Sequence, residues 1–118
     1  MPTILIIDDD LDTRVMLTHA LKNLECSIIA CDNGKDALER LANLQPDVII
    51  LDLALPYMRG EDILALIRQE PHLTETKVII YTAHARMMDN MALQEADLLL
   101  EKPALVQQLR NAVAQFLI

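Results

Sequence analysis

Aromatic residues, glycine and cysteine are all scarce in this sequence of 118 residues. Only 3% of the chain is aromatic, so aliphatic side chains and methionine must build the core. Hydrophobic residues make up 53% of the chain, which is enough for the core of one domain of ordinary size. We therefore expect residues 1–118 to form a single folded domain.

Basic residues are also few, and the net charge is −8. The lysines and arginines do not cluster, and binding to nucleic-acid phosphates requires such a cluster, so we expect no direct nucleic-acid binding. No apolar run approaches the ~18 residues of a membrane span, and no leader segment precedes the first apolar run. These absences predict a protein that works in the cytoplasm and not in a membrane.

The two cysteines, Cys26 and Cys31, flank one short apolar run. If that run is a strand, the two α-carbons lie too far apart for a disulfide. We therefore expect two reduced, buried thiols of structural character, as is usual in the cytoplasm.

Two kinds of segment alternate along the chain. Short, almost unbroken apolar runs predict strands at 4–7, 28–29, 48–51, 78–81 and 98–100. Between and after these runs, apolar residues at helical spacing predict amphipathic helices. The helix faces comprise Leu17, Ala20, Leu21 and Leu24; Ala37, Leu41 and Leu44; Ile63, Leu66 and Ile67; and Leu105, Leu109, Ala112, Val113 and Phe116. A weaker fourth helix is predicted before the fifth strand, where Met87, Met88 and Met91 lie.

The alternation predicts the fold class. Continuous apolar strands are typical of a parallel sheet whose two faces are both covered by helices. Right-handed crossovers then leave few topologies. We expect an α/β protein with a flavodoxin-like (βα)5 three-layer sandwich and the strand order 2-1-3-4-5.

Polar side chains follow four of the predicted strands. Asp8 and Asp9 follow the first strand, Asp52 the third, Thr82 the fourth and Lys102 follows the fifth. These strands are neighbours in the order 2-1-3-4-5, and their carboxyl ends lie at one edge of the sheet. The five side chains are therefore expected to converge on one site.

This set of side chains suits phosphoryl transfer. Three neighbouring carboxylates repel one another, and a hard cation such as Mg²⁺ relieves the repulsion. Asp52 comes from a separate strand and is the better nucleophile, which would form an aspartyl phosphate. Asp8 and Asp9 are the better metal ligands. Lys102 and the Thr82 hydroxyl could then stabilise the phosphoryl oxygens.

Four segments carry a family resemblance. They are ILIIDDD at 4–10, PDVIILDLALP at 46–56 with Gly60, VIIYTA at 78–83, and KP at 102–103. In this order and at these separations, the chain resembles the receiver domain of the two-component response regulators over essentially its whole length.

The resemblance implies a phosphorylation switch and not an enzyme with a separate substrate. It implies that Asp52 accepts a phosphoryl group from a histidine kinase or a phosphorelay protein. The only reactions that the domain itself would catalyse are its Mg²⁺-dependent self-phosphorylation and autodephosphorylation. It implies that Thr82 and Lys102 respond to the phosphoryl group, and that the Lys102–Pro103 bond is cis. The implied Mg²⁺ ligands are Asp8, Asp9, Asp52 and the backbone carbonyl of Ala54. Two of the flanking positions, Ala54 and His84, are implied to tune hydrolysis.

The implied output surface is the face formed by the fourth helix, the fifth strand and the fifth helix. Through it the domain would control an effector protein or an attached output domain, or would form a homodimer. The sequence departs from the family here: Leu99 stands where Tyr or Phe is usual, Ala104 where Phe is usual, and Glu95 where Gly is usual. We therefore expect either weak coupling to this face or coupling through the methionine patch at 87, 88 and 91.

Parts of the sequence also resemble three other kinds of site or protein. A calcium loop starting at Asp8 would need Gly at its sixth position and Glu at its twelfth, where Thr13 and His19 stand. A haloacid-dehalogenase-type phosphatase would use an aspartate after the first strand, but Asp12 stands where Thr or Val is expected, and the chain is short for that fold. A pseudo-receiver that no longer accepts phosphate is distinguished by Mg²⁺ titration.

Overall fold

The computed structural model describes residues 1–87 and 94–117 and contains one parallel sheet of five strands. The strands are β1 (Thr3–Ile7), β2 (Ser27–Cys31), β3 (Val48–Leu51), β4 (Lys77–Thr82) and β5 (Leu98–Glu101). Their order is β2-β1-β3-β4-β5, and every neighbouring pair is parallel. The predicted strand order and the flavodoxin-like fold class are confirmed.

Helices cover both faces of this sheet. They are α1 (Leu11–Leu21), α2 (Gly34–Leu41), α3 (Gly60–Gln69) and a C-terminal helix (Val106–Ala114). Side chains alternate along a strand, so Leu5 and Ile7 pack with α2 and α3, while Ile4 and Ile6 pack with α1 and the C-terminal helix. The result is two separate aliphatic clusters, one on each side of the sheet.

The predicted fourth helix falls mostly outside the described residues. Ala85–Met87 forms a 3₁₀ turn, while Met88 and Met91 lie beyond the part of the chain that the structure describes. The proposed methionine patch is therefore not tested. In the described ranges, no helix combines the length and the apolar character that a membrane crossing requires.

Three residues that were predicted to lie on buried helix faces do not do so. α2 ends at Leu41, and Leu44 lies in the loop before Pro46, where the chain turns out of the helix. Leu105 precedes the C-terminal helix and is 77% exposed, so it is not part of the buried face. Leu66 is also exposed, because it lies at the solvent edge of α3.

Both cysteines are free thiols. Cys31 is buried at the end of β2, but Cys26 is only half-buried just before that strand, so the expectation of two buried thiols is half right. Burial raises the pKa of each thiol, which keeps both in the unreactive protonated form.

The sheet ladder continues past the strand ends and fixes the residues that follow. The backbone N–H of Asp8 donates to the Cys31 carbonyl at 3.1 Å, and the N–H of Asp52 donates to the Ile7 carbonyl at 3.0 Å. On the other side, the N–H of Lys102 donates to the Thr82 carbonyl at 2.9 Å. The side chains of Asp8, Asp52 and Lys102 therefore leave from backbone that is still held by the sheet.

Gly60 allows the loop after β3 to fold back onto Asp52. Its N–H donates to the Leu53 carbonyl at 3.0 Å. A Cβ atom on Gly60 would lie 2.5 Å from the Asp52 carbonyl oxygen, which is backbone and cannot move aside. Only glycine fits this close approach, so Gly60 helps to fix the main chain on both sides of Asp52.

Candidate functional site

Three carboxylates meet at the carboxyl edge of the sheet. Asp8 and Asp9 follow β1, Asp52 follows β3, and one oxygen from each lies within 4.8 Å of the others. Asp8 and Asp52 are 2% and 5% exposed, whereas Asp9 is exposed. The site therefore has a buried acidic floor with one solvent-facing carboxylate at its rim.

Lys102 reaches into this acidic floor from the end of β5. Its Nζ donates to Asp8 Oδ2 at 2.8 Å and to Asp52 Oδ2 at 3.1 Å. Burial lowers the pKa of the Lys102 ammonium, but its hydrogen bonds to the two carboxylates outweigh burial and raise that pKa overall. Lys102 is therefore firmly cationic and offsets the repulsion between Asp8 and Asp52.

The second oxygen of each buried carboxylate accepts from backbone. Asp8 Oδ1 accepts from the Asp10 N–H at 2.9 Å, and Asp52 Oδ1 accepts from the Ala54 N–H at 3.2 Å. Even so, burial keeps the pKa of Asp8 above its ordinary value, with the bonds to Lys102 and Asp10 acting in the opposite direction. A buried carboxylate held this way favours a nearby cation.

The donor set fits a small hard cation. Its side-chain ligands are all carboxylate oxygens, which Mg²⁺ prefers, and the exposed Asp9 leaves one side open to water, which Mg²⁺ retains readily. The ions that favour thiolate or imidazole ligands find neither in this group of three. Asp8, Asp9 and Asp52 can therefore hold Mg²⁺, with the acidic floor contributing most of the charge.

Thr82 ends β4 at the same edge of the sheet and is fully buried. Its Oγ1 accepts from the His84 N–H at 3.2 Å, which fixes the turn that follows the strand. The exposed His84 and Ala54 lie along one pocket of about 310 Å³ beside the end of β3, together with Leu53, Arg59 and Glu61.

Two residues that support the site were missed by sequence reasoning. Arg14, on α1, donates from its guanidinium to the Asp8 carbonyl at 2.8 Å and braces the turn that carries Asp9. Tyr81 precedes Thr82 on β4 and is buried, with its side chain on the other face of the sheet from that of Thr82. Its ring lies close to the Lys102 ammonium. Arg14 could have been found from its place one turn after the Asp10 cap, but strand alternation only placed Tyr81 in the core.

The two unusual residues of the output region are both aliphatic and packed. Leu99 is half-buried against the cluster under α2 and α3. Ala104 is half-buried against the other cluster, under the C-terminal helix. The expected Lys102–Pro103 cis peptide is present between them.

Comparison with known proteins gives one consistent result. The family model described as the response regulator receiver domain matches residues 4–114. The signal transduction histidine-protein kinase BarA of Escherichia coli is 31% identical over 121 residues, covering 97% of this chain. The chain spans only 13% of the length of that kinase.

Solved structures superpose on this chain along nearly its whole length. The signal receiver domain of a LuxO repressor protein from Vibrio parahaemolyticus is 33% identical with a TM-score of 0.87, covering 98% of this chain and 89% of that one. The response regulator TrrA from Thermotoga maritima, solved in complex with Mg²⁺ and BeF, is 26% identical with a TM-score of 0.88. That comparison covers 98% of this chain and 99% of TrrA.

Proposed function

This chain belongs to the response regulator receiver domains of two-component systems, and on that basis we propose that Asp52 is its phosphoacceptor and Mg²⁺ its cofactor. We take residues 1–118 as one receiver domain that switches between an unphosphorylated and a phosphorylated state. The proposal treats the chain as a switch, with Mg²⁺-dependent self-phosphorylation and autodephosphorylation as its only chemistry.

The observation that carries the proposal is the environment of the Asp52 carboxylate. It is buried, it is bound by Lys102 and by the Ala54 N–H, and two further carboxylates adjoin it. One of its oxygens would attack the donor's phosphorus, forming an acyl phosphate as the bond from phosphorus to the donor breaks and the donor departs with that bonding pair. Asp8, Asp9, Asp52 and the Ala54 carbonyl would hold Mg²⁺, which supplies positive charge to the phosphoryl oxygens when bound.

Lys102 and Thr82 are proposed to sense the added phosphoryl group. The group brings a new negative charge next to Lys102, whose ammonium now bonds the Asp8 and Asp52 carboxylates. Moving that ammonium onto a phosphoryl oxygen exchanges one charged hydrogen bond for another, so the shift costs little. The Thr82 hydroxyl now accepts from the His84 N–H, and its own hydrogen would be donated to a phosphoryl oxygen.

We propose a histidine kinase or a phosphotransfer protein as the donor. The likeness to part of the histidine kinase BarA supports a phosphorelay setting. Phosphorylation would change the face formed by the segment before β5, by β5 and by the C-terminal helix. Through this face the domain would control an effector protein or an attached output domain, or would form a homodimer. We place the domain in the cytoplasm, where free thiols such as those of Cys26 and Cys31 persist.

Intact-mass measurement after treatment with acetyl phosphate tests the acceptor. We expect a single added phosphoryl group that requires Mg²⁺ and is absent in Asp52→Asn. Asp32→Asn is the matched control, because Asp32 follows β2 and lies outside the carboxylate group. Undiminished labelling of Asp52→Asn contradicts the proposal, and loss of labelling only in Asp8→Asn would favour the phosphatase alternative.

A further inference from the structure

The ring of Tyr81 lies under the ammonium of Lys102. The Nζ atom is 5.6 Å from the ring centroid, within the range of a cation–π contact. Tyr81 is only 2% exposed, so its ring is shielded from water. Cation–π contacts are stronger when they are shielded in this way. The Lys102 Nζ also lies 2.8 Å from the Asp8 carboxylate and 3.1 Å from the Asp52 carboxylate.

From this geometry we infer that Tyr81 is a positioning residue for Lys102. A lysine ammonium has three N–H donors, and the two carboxylates account for two of them. The electron-rich face of the Tyr81 ring can attract the third N–H of the Lys102 ammonium. Tyr81 thus holds the ammonium near the site without competing for the carboxylate oxygens, which a cation or a phosphoryl group must share.

The Tyr81 hydroxyl makes a second, independent contact with the same segment. It accepts from the Ala104 N–H at 3.1 Å. Pro103 has no N–H, so Ala104 carries the first amide after Lys102 that can be tied to the body of the protein. The ring and the hydroxyl of one residue therefore hold both the side chain of Lys102 and the main chain that follows it.

Tyr81 is the aromatic residue whose ring contacts Lys102, although Phe116 packs against the same aliphatic cluster. Leu99 and Ala104 are aliphatic, and Tyr57 points fully into solvent. Tyr81 packs in the cluster that includes Leu109 and Val113 of the C-terminal helix. A displacement of Lys102 would therefore alter the packing of Tyr81, whose side chain contacts the C-terminal helix of the proposed output face.

The inference rests on the proposed function, because Lys102 matters only if the site receives a phosphoryl group. A double-mutant cycle with the phosphoryl mimic beryllofluoride separates positioning from a merely structural role. Its affinity for the Mg²⁺-loaded protein is measured by calorimetry in wild type, Tyr81→Leu, Tyr81→Phe, Lys102→Met and the Tyr81→Leu/Lys102→Met double variant. Tyr57→Leu is the control, since that side chain is exposed.

We expect Tyr81→Leu to weaken beryllofluoride binding about fivefold, as loss of a shielded cation–π contact would. Tyr81→Phe keeps the ring and should restore most of the affinity. In the Lys102→Met background, Tyr81→Leu should have no further effect. An equal loss in both backgrounds, or no loss in either, overturns the inference, because core packing acts whether or not Lys102 is present.

Two further results keep the test decisive. If Tyr81→Leu does not fold, NMR of wild type serves instead: the Lys102 Hε resonances should be shifted upfield by the ring, and random-coil positions overturn the inference. If wild type binds no beryllofluoride in Mg²⁺, the proposed function itself fails. If wild type binds but Tyr81→Leu binds equally well, only the role of Tyr81 fails.

Discussion

The Lys102 ammonium donates a 2.8 Å hydrogen bond to Oδ2 of Asp8, so a cation already lies against the carboxylates that are proposed to bind Mg²⁺. Lys102 offsets the repulsion of Asp8 and Asp52, but the exposed Asp9 is outside its two hydrogen bonds. The repulsion among the carboxylates is thus partly relieved before any metal binds. The repulsion that remains is mainly between Asp9 and the other two carboxylates.

Mg²⁺ should stabilise the folded domain, and Asp9 should be necessary for the effect. At 100 times its dissociation constant, a ligand that binds only the folded state adds about 2.7 kcal/mol to the free energy of unfolding. Asp9→Asn should slightly raise the stability of the metal-free protein and abolish the Mg²⁺ effect. Thermal melts with and without millimolar Mg²⁺ check this, with Asp12→Asn, outside the carboxylate group, as control. A melt indifferent to Mg²⁺ would count against the site.

Lys102 should make stability fall at alkaline pH. Its pKa is raised in the folded protein, so its contribution is fully present below the unfolded value of 10.5 and is lost as pH rises through the folded value. Above pH 10.5, wild type should therefore lose stability more steeply than Lys102→Met. Urea unfolding across this range measures both slopes. Lys77→Met serves as control, because Lys77 only approaches Asp97 at 3.9 Å; parallel wild-type and Lys102→Met profiles would refute the prediction.

Tyr57→Gly should stabilise the protein. Tyr57 has a φ of 66°, in the left-handed region, and its side chain is fully exposed. Glycine removes the Cβ strain of about 1 kcal/mol, less the entropy that it adds to the unfolded chain, so we expect a net gain of about 0.5 kcal/mol. Tyr57→Ala keeps a Cβ and should change little. Equilibrium unfolding of both variants decides, and a loss of stability in Tyr57→Gly would show that the tyrosine makes contacts of its own.

His84→Ala should shorten the lifetime of the phosphorylated protein. His84 lines the same pocket as Ala54, and we expect the small side chain of Ala54 to leave water a path to Asp52. Removing the imidazole widens that path, so hydrolysis should accelerate. The decay of the phosphorylated protein is followed by intact mass after the phosphodonor is removed, with His19→Ala, on α1, as control. Equal decay rates would mean that His84 plays no part, and slower decay that it orients the attacking water.

The strands and the strand-end residues could be predicted from sequence because their signals are local. An apolar run followed by Asp52 or Thr82 places that residue at the sheet edge with no knowledge of the loops. The contact between Tyr81 and Lys102 could not be predicted, because Lys102 lies past the last paired residue of β5 and strand alternation does not fix the direction of its side chain. The end of α2 was misjudged at Leu44 for a related reason: helical spacing continued, but the loop before Pro46 prevailed.

The strand order has a consequence for a chain that is still being synthesised. Asp8 and Lys102 are 94 residues apart, and Lys102 is delivered by β5 at one edge of the sheet. A nascent chain can pair β1, β3 and β4 while β5 is still inside the ribosome, since domains begin to fold from the N-terminal side. At that stage the carboxylates are gathered without their lysine. The proposed phosphoryl site is therefore complete only after β5 has left the ribosome, and a chain that still lacks β5 cannot present Lys102 to the proposed donor.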